Sequence, residues 1–96
     1  MPVEFRAFRE GTSQKTGKDF GTIVVEDNEG EQNRITVKDT SRFPQMRRLK
    51  RGEWYSFPIT VIATEKWQFA SLNDGDEIIH MSSDESGMLV ADGEVI

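Results

Sequence analysis

The sequence predicts an all-β protein, a small barrel of five strands with one short helix between strands 3 and 4. Apolar and polar residues alternate in several stretches, which is the pattern of half-buried strands. Clusters of Asn, Asp and Gly separate these stretches and are typical of turns. The chain has 96 residues and no Cys, so we expect one domain with a modest core and no disulfides.

The first three strands are predicted at 3–9, 20–26 and 32–38. Strict alternation in the first strand places Phe5 inside, and Arg6 and Phe8 outside. The polar stretch 10–19 is a loop or a hairpin tip. The short turn at 27–30 joins strands 2 and 3 into a tight hairpin.

A short helix is predicted over 41–51, because Phe43, Met46 and Leu49 recur on one helical face. Thr40 or Ser41 is its expected N-cap, and Pro44 suits its first turn. Two further strands follow at 55–61 and 67–72. Pro58 has no N–H to donate, so the fourth strand lies at a sheet edge or is kinked there.

This order of elements is that of the OB-fold, a five-stranded Greek-key barrel. An SH3-like barrel or an open β-roll has a compatible order. We therefore expect an OB-like domain over 1–75, followed by an acidic C-terminal segment over 76–96. Within that segment, Asp92 and Gly93 indicate either a hairpin that folds back or an apolar tip on a mobile tail.

The charge is distributed unevenly along the chain. The formal net charge of −5 argues against a nucleic-acid partner when it is taken as a whole. However, residues 1–72 carry a net +2, and residues 73–96 carry −7 with no Lys or Arg. A mildly basic body is thus followed by an acidic segment, which serves either solubility or interaction with another molecule.

Catalytic patterns are weak in this sequence. His80 is the single histidine, and no Ser/His/acid set or phosphate-binding glycine motif is recognisable. We expect no catalytic residue, no metal and no cofactor. Neither a membrane span nor a signal peptide is apparent, so we expect a cytoplasmic protein.

A binding surface is indicated more strongly. The outward face of the first three strands and the loop before strand 2 combine aromatic and cationic residues, namely Arg6, Phe8, Lys15, Lys18, Phe20, Arg34 and Lys38. Cations neutralise phosphates and aromatic rings stack on bases, so this mixture predicts binding of single-stranded nucleic acid without sequence specificity. A second candidate patch lies on the helix, at Arg47, Arg48 and Arg51.

Each of these residues also has an ordinary structural interpretation. Phe8 and Phe20 are equally compatible with core positions, and the cations with a solvated surface. The alternative function is a protein-interaction adaptor of OB or SH3 type without nucleic-acid binding. Its contacts would come from Trp54, Trp67 and the segment 88–96.

Two stretches resemble a known family. The stretch 9–20, which ends in Gly17, Lys18, Asp19 and Phe20, resembles the DNA-binding wing of the filamentous-phage (gene V-type) single-stranded DNA-binding proteins. The stretch 52–59 is similar to the fourth strand of that family. The resemblance extends over residues 3–72 and consists of short motifs and strand order. The acidic segment 76–96, the basic helix and Asp19 beside the ring depart from the family pattern.

The resemblance implies an OB-fold that forms a homodimer and coats single-stranded DNA, with RNA as a second ligand, during replication in a bacterial cell or a phage-infected host. It also implies that Lys15 and Lys18 contact the backbone and that Phe20 stacks on a base. By analogy with acidic tails of bacterial proteins of this function, segment 76–96 would recruit a replication protein. Deletion of that segment is expected to tighten DNA binding.

Overall fold

The computed structural model describes residues 2–63, 65, 68–73 and 75–95. These residues form eight strands, one 3₁₀ turn and one short helix. In chain order they are β1 (Pro2–Thr12), β2 (Asp19–Glu26), β3 (Gln32–Val37), a 3₁₀ turn (Thr40–Arg42), α1 (Phe43–Arg47), β4 (Trp54–Ser56), β5 (Ile59–Ala63), β6 (Gln68–Leu72), β7 (Ile79–Ser83) and β8 (Leu89–Val95). The predicted all-β class is confirmed, but the described residues form eight strands rather than five.

All eight strands belong to one mixed sheet with the order β5-β6-β3-β2-β1-β4-β7-β8. Only β3 and β6 pair in parallel; the other neighbouring strands of this described sheet are antiparallel. β5 and β4 are first and sixth in this order, yet only Phe57 and Pro58 separate them in the chain. The six strands from β5 to β4 must therefore curl until the first and the last come close together, which gives the sheet a barrel-like shape.

The extra strands have two sources. The predicted fourth strand is divided into β4 and β5 at Pro58, the residue that the sequence marks as a kink. The segment 76–96 adds β7 and β8 as a hairpin, and β7 pairs with β4. The turn of this hairpin lies at Asp84, whose Oδ1 accepts the Ser86 and Met88 amides at 2.9 and 3.0 Å. Asp92 and Gly93 lie inside β8, so the turn predicted at these residues is wrong.

The core lies on the inner side of the curled sheet. Buried residues come from β1 to β4 and β6, from the helical segment and from the residues flanking β4 and β7. Those with the least exposed surface are Tyr55, Ile23, Met46, Ile78, Val25 and Val37. The hydroxyl of Tyr55 accepts the Lys50 amide at 3.0 Å, which satisfies this buried oxygen and fixes the residues after the helix.

The helix packs against the inner side of β1 and β2. The Phe43 ring meets the Phe8 ring edge-on, with centroids 5.4 Å apart. Phe43, Met46 and Leu49 are buried as predicted. The regular α-helix is shorter than predicted: it ends at Arg47, and its N-cap is Arg42, which makes no side-chain capping hydrogen bond. The side-chain cap lies before the 3₁₀ turn, at Asp39, whose carboxylate accepts the Ser41 amide at 3.0 Å. None of the helices in the described ranges is long and apolar enough to span a bilayer.

Candidate functional site

The candidate site is built on β2, whose two faces differ in burial. Gly21, Ile23 and Val25 are buried, whereas the alternate residues Phe20, Thr22 and Val24 are half-buried. This alternation is the one that the sequence predicts. We call the side of β1, β2 and β3 that carries Phe20 the outer face.

A β-bulge at Arg6 changes which residues of β1 reach the outer face. Phe5 pairs with Val25, but Ala7 pairs with Val24, so the alternation of β1 shifts by one residue. A bulge places two residues of one strand opposite one residue of its partner. Downstream of the bulge, Phe8 lies opposite the buried Ile23.

The predicted outward orientation of Phe8 is therefore wrong. Phe8 packs against the core and lies over Gly21, where an added Cβ would come within 2.5 Å of its ring. Arg9 takes the outer position instead, opposite Thr22. Arg9 is not predicted from the sequence, because strict alternation contains no signal for a bulge.

Arg6 itself is engaged with acids. Its guanidinium pairs with Glu4 and, at 3.4 Å, with Glu26. All three side chains are partly exposed, so these pairs contribute little to stability. They do reduce the positive charge that Arg6 offers to a ligand.

Next to the row of Glu4, Glu26 and Gln32, the remaining outer-face residues form three rows across the strands. The first row consists of the neighbours Ala7, Val24 and Arg34. The second row consists of Arg9, Thr22 and Thr36. The third row consists of Gly11 and Phe20, and Lys38 follows directly after the last paired residue of β3. Successive rows are about 7 Å apart, the rise of two strand residues. These rows combine one aromatic ring with three cations and contain no acid.

The loop between β1 and β2 places two more cations beside this face. The Ser13 amide donates to the Lys18 carbonyl at 2.8 Å, and the Gly17 amide donates to the Ser13 carbonyl at 2.8 Å. Gly17 has a φ of 70°, which favours glycine. The closed loop exposes Lys15 and Lys18.

Asp19, next to Phe20, has its own partner. The Thr12 hydroxyl donates to its Oδ1 at 2.7 Å, across the first hairpin. The carboxylate is thereby held toward β1. Its negative charge still lies beside the loop lysines, because Asp19 directly follows Lys18 in the chain.

Five cations on or beside the outer face are available to a ligand. Within the described part of the chain, none of them forms an ion pair: Arg9, Lys15, Lys18, Arg34 and Lys38. A shallow cleft of about 450 Å³ is lined by Arg9, Thr22, Val24, Gln32, Asn33 and Arg34. Two guanidinium groups therefore share one depression of the outer face.

The second candidate patch lies on the opposite side of β1 and β2, with the helix. Arg47 pairs with Glu10 of β1, whereas Arg48 and Arg51 are exposed and unpaired among the described residues. The neighbouring Arg42 donates to the carbonyls of Asn73 and Asp76 at 2.7 and 2.8 Å. That arginine connects the helical segment to the chain before β7.

His80 connects the C-terminal hairpin to the loop before β4. Its Nδ1 contacts Asp92 Oδ2 in β8, and its Nε2 lies 3.3 Å from Glu53 Oε2. The Ser82 hydroxyl donates to the same Asp92 oxygen at 2.6 Å. The hydrogen bond to Asp92 is the main cause that raises the pKa of His80; burial lowers it by less, and the hydrogen bond to Glu53 adds a still smaller increase.

Residues of the alternative adaptor surface are scattered. Trp54 is half-buried in β4, and Trp67 lies outside the described residues. Met88 and Val90 of the hairpin are 66% and 41% exposed. The described residues of this set line none of the three clefts found at Arg9, at Ile59 and at Arg47.

Comparison of the chain with protein-family models, with curated proteins and with solved structures finds no match in any of the three. The resemblance of the wing and the fourth strand to the phage proteins therefore stays a prediction. Function has to be argued from the outer face itself.

Proposed function

We propose that the protein binds single-stranded nucleic acid, DNA in preference to RNA, through the outer face of β1, β2 and β3. The main support is the three-row arrangement, in which Phe20 shares the rows with three cations that form no ion pair among the described residues, and in which the rows themselves contain no acid. An aromatic ring stacks on any base, and cations neutralise the adjoining phosphates. Such a surface recognises the backbone and the base faces, so binding is independent of sequence.

We also propose that the fold is an OB-like barrel. The support is the parallel pairing of β3 with β6 and the division of the fourth strand between two neighbours, β1 and β6. OB barrels use the strand 2 and strand 3 surface and the first loop for oligonucleotides. The proposed role is to coat and protect single-stranded DNA in replication; the homodimer and a replication partner for segment 76–96 are further proposals from the family resemblance.

Fluorescence anisotropy with labelled oligo-dT and a matched duplex, at two salt concentrations, tests the proposed function. We expect a preference for the single strand and a salt dependence, with a log–log slope of roughly −3 for about four neutralised phosphates. Arg34→Ala, on the outer face, is compared with Arg48→Ala, directly after the helix, because each removes one charge that forms no ion pair among the described residues.

Weaker binding by Arg34→Ala alone supports the outer face. Equal weakening by both variants would shift the site toward the helix patch. No binding of either nucleic acid would favour the adaptor function, with Trp54 and the exposed hairpin residues as the contacts.

A further inference from the structure

The inner side of the curled sheet is covered unequally. At the Gly21 end of β2, Phe8 and the helix close the core. At the Val25 end of the same strand, an open cleft of about 670 Å³ remains between β2, β3 and β5. The barrel-like sheet is thus closed at one end and open at the other.

The cleft is bordered by apolar residues that face inward without being covered. Ile59 pairs with Leu72 and Val61 with Ala70, which places both side chains on the inner side of β5. They are nevertheless 39% and 50% exposed. Phe57 and Val3 extend this apolar lining toward the core.

The rim of the cleft is polar and continuous with the outer face. Asn33 and Arg34 line both this cleft and the shallow cleft beside Arg9. A nucleic-acid strand that lies over Val24 and Arg34 therefore passes the mouth of the apolar cleft. Asp27 also lies on this rim, and its Oδ1 accepts the Glu29 and Glu31 amides at 2.9 Å.

We propose that this cleft receives one nucleobase of the single strand bound on the outer face. The inference rests on the proposed function. A base has apolar faces that suit Ile59 and Val61, and a polar edge of donors and acceptors. Amide and guanidinium groups such as those of Asn33 and Arg34 are the usual partners of such edges. The carboxylate of Asp27 disfavours a phosphate, so the base enters and the backbone stays outside.

The test compares Val61→Ser with Val90→Ser, the same change at two exposed valines, one in the cleft and one on the C-terminal hairpin. Binding is measured with a short oligo-dT in which one thymidine at a time is replaced by an abasic nucleotide. With the unaltered protein we expect, besides the position of the base that stacks on Phe20, a second position, that of the base in the cleft, at which the abasic change weakens binding roughly tenfold, the order of one base contact. In Val61→Ser the loss at that position is expected to fall below about threefold, and Val90→Ser is expected to retain it.

Identical abasic profiles for the two serine variants would overturn the base pocket while leaving binding on the outer face intact. That result would assign the cleft to another occupant, such as an apolar side chain of a peptide. A failure of the unaltered protein to bind any oligonucleotide would instead overturn the proposed function, and the base pocket with it.

Discussion

The ring of Phe20 lies across the first hairpin on Gly11, so that a Cβ added to Gly11 would come within 3.2 Å of the Phe20 Cζ. The two residues are paired in the sheet, and an aromatic ring over a strand glycine supports a hairpin where the glycine itself has no side chain to pack. The contact fixes the half-buried ring on the outer face rather than in the core.

Phe20→Ala is expected to lower affinity for oligo-dT, oligo-dA and mixed single strands by ~1–3 kcal/mol, because it removes one stacking ring. Phe20→Tyr keeps the ring and should bind nearly as well. Anisotropy titrations measure the change, and thermal unfolding verifies that the fold persists. Unaltered affinity of the alanine variant would remove Phe20 from the site.

The paired change Lys15→Ala with Lys18→Ala is expected to flatten the salt dependence of binding. Each lost phosphate contact on a single strand changes the log–log slope by about 0.7, so the double variant should differ by about 1.4. Arg48→Ala with Arg51→Ala removes the same charge from the helix and serves as control. A slope equal to that of the unaltered protein would exclude the loop between β1 and β2 from the site.

Neutralising exposed acids of segment 76–96 is expected to tighten DNA binding at low salt, because these carboxylates compete with phosphates. Deletion of the whole segment is a poorer test, since Ile78 is fully buried and β7 pairs with β4. The combined change Asp76→Asn, Glu77→Gln and Glu85→Gln keeps the hairpin. Its effect should disappear at high salt, and an affinity unchanged at low salt would mean that the segment does not mask the site.

Stability is expected to decrease as the pH rises through the titration of His80. Asp92 and Glu53 raise the pKa of this histidine, so the folded protein binds its proton more tightly than the unfolded chain does. The contribution is complete below about pH 6.5, the ordinary value, and is lost as the pH passes the raised value of the folded state. Urea unfolding at pH 6 and pH 8 measures it. His80→Gln should remove most of the difference; an equal difference in both proteins would assign it to other groups.

Gly21→Ala is expected to destabilise the fold by ~1–3 kcal/mol, the usual cost of overpacking. The added methyl would meet the Phe8 ring at 2.5 Å, within the closed end of the barrel. Adding Phe8→Leu should recover part of the loss, because it removes the ring. Gly11→Ala, whose methyl meets only the movable Phe20 ring, should cost less. Equal losses for the two glycine variants would contradict the packing described for Phe8.

Local sequence patterns were sufficient to predict most strands and turns of the sheet. The turn at Asp27 and Gly30 follows from side-chain capping and a positive φ, and both are readable from residue type. The division of the fourth strand is likewise readable from residue type, because Pro58 has no N–H to donate. The pairing of β7 with β4 was not predictable, because it depends on tertiary contacts of Ile78 rather than on a local pattern.

The candidate site was predictable only in part. Alternation correctly placed Phe20 and Arg34 on the outer face, since β2 and β3 pair without a shift. Alternation placed Phe8 on the outer face, where Arg9 lies instead, because no residue type in β1 marks the bulge at Arg6. The open cleft at Ile59 and Val61 was also missed, because the sequence shows which residues are apolar but not which end of a core is left uncovered.

The bulge at Arg6 has a consequence for comparing this strand with strands of other proteins. Upstream of Arg6, odd-numbered residues of β1 face inward; downstream, even-numbered residues do. An ungapped alignment to an unbulged hairpin would match inner positions to outer ones over the whole stretch that leads to the loop lysines. A one-residue gap at Arg6 brings Arg9, rather than Phe8, into correspondence with ligand-facing positions. Deleting Arg6 would remove the bulge and leave Phe5 opposite Val25 and Ala7 opposite Val24 in regular alternation, so Phe8 would stay in the core and Arg9 on the outer face.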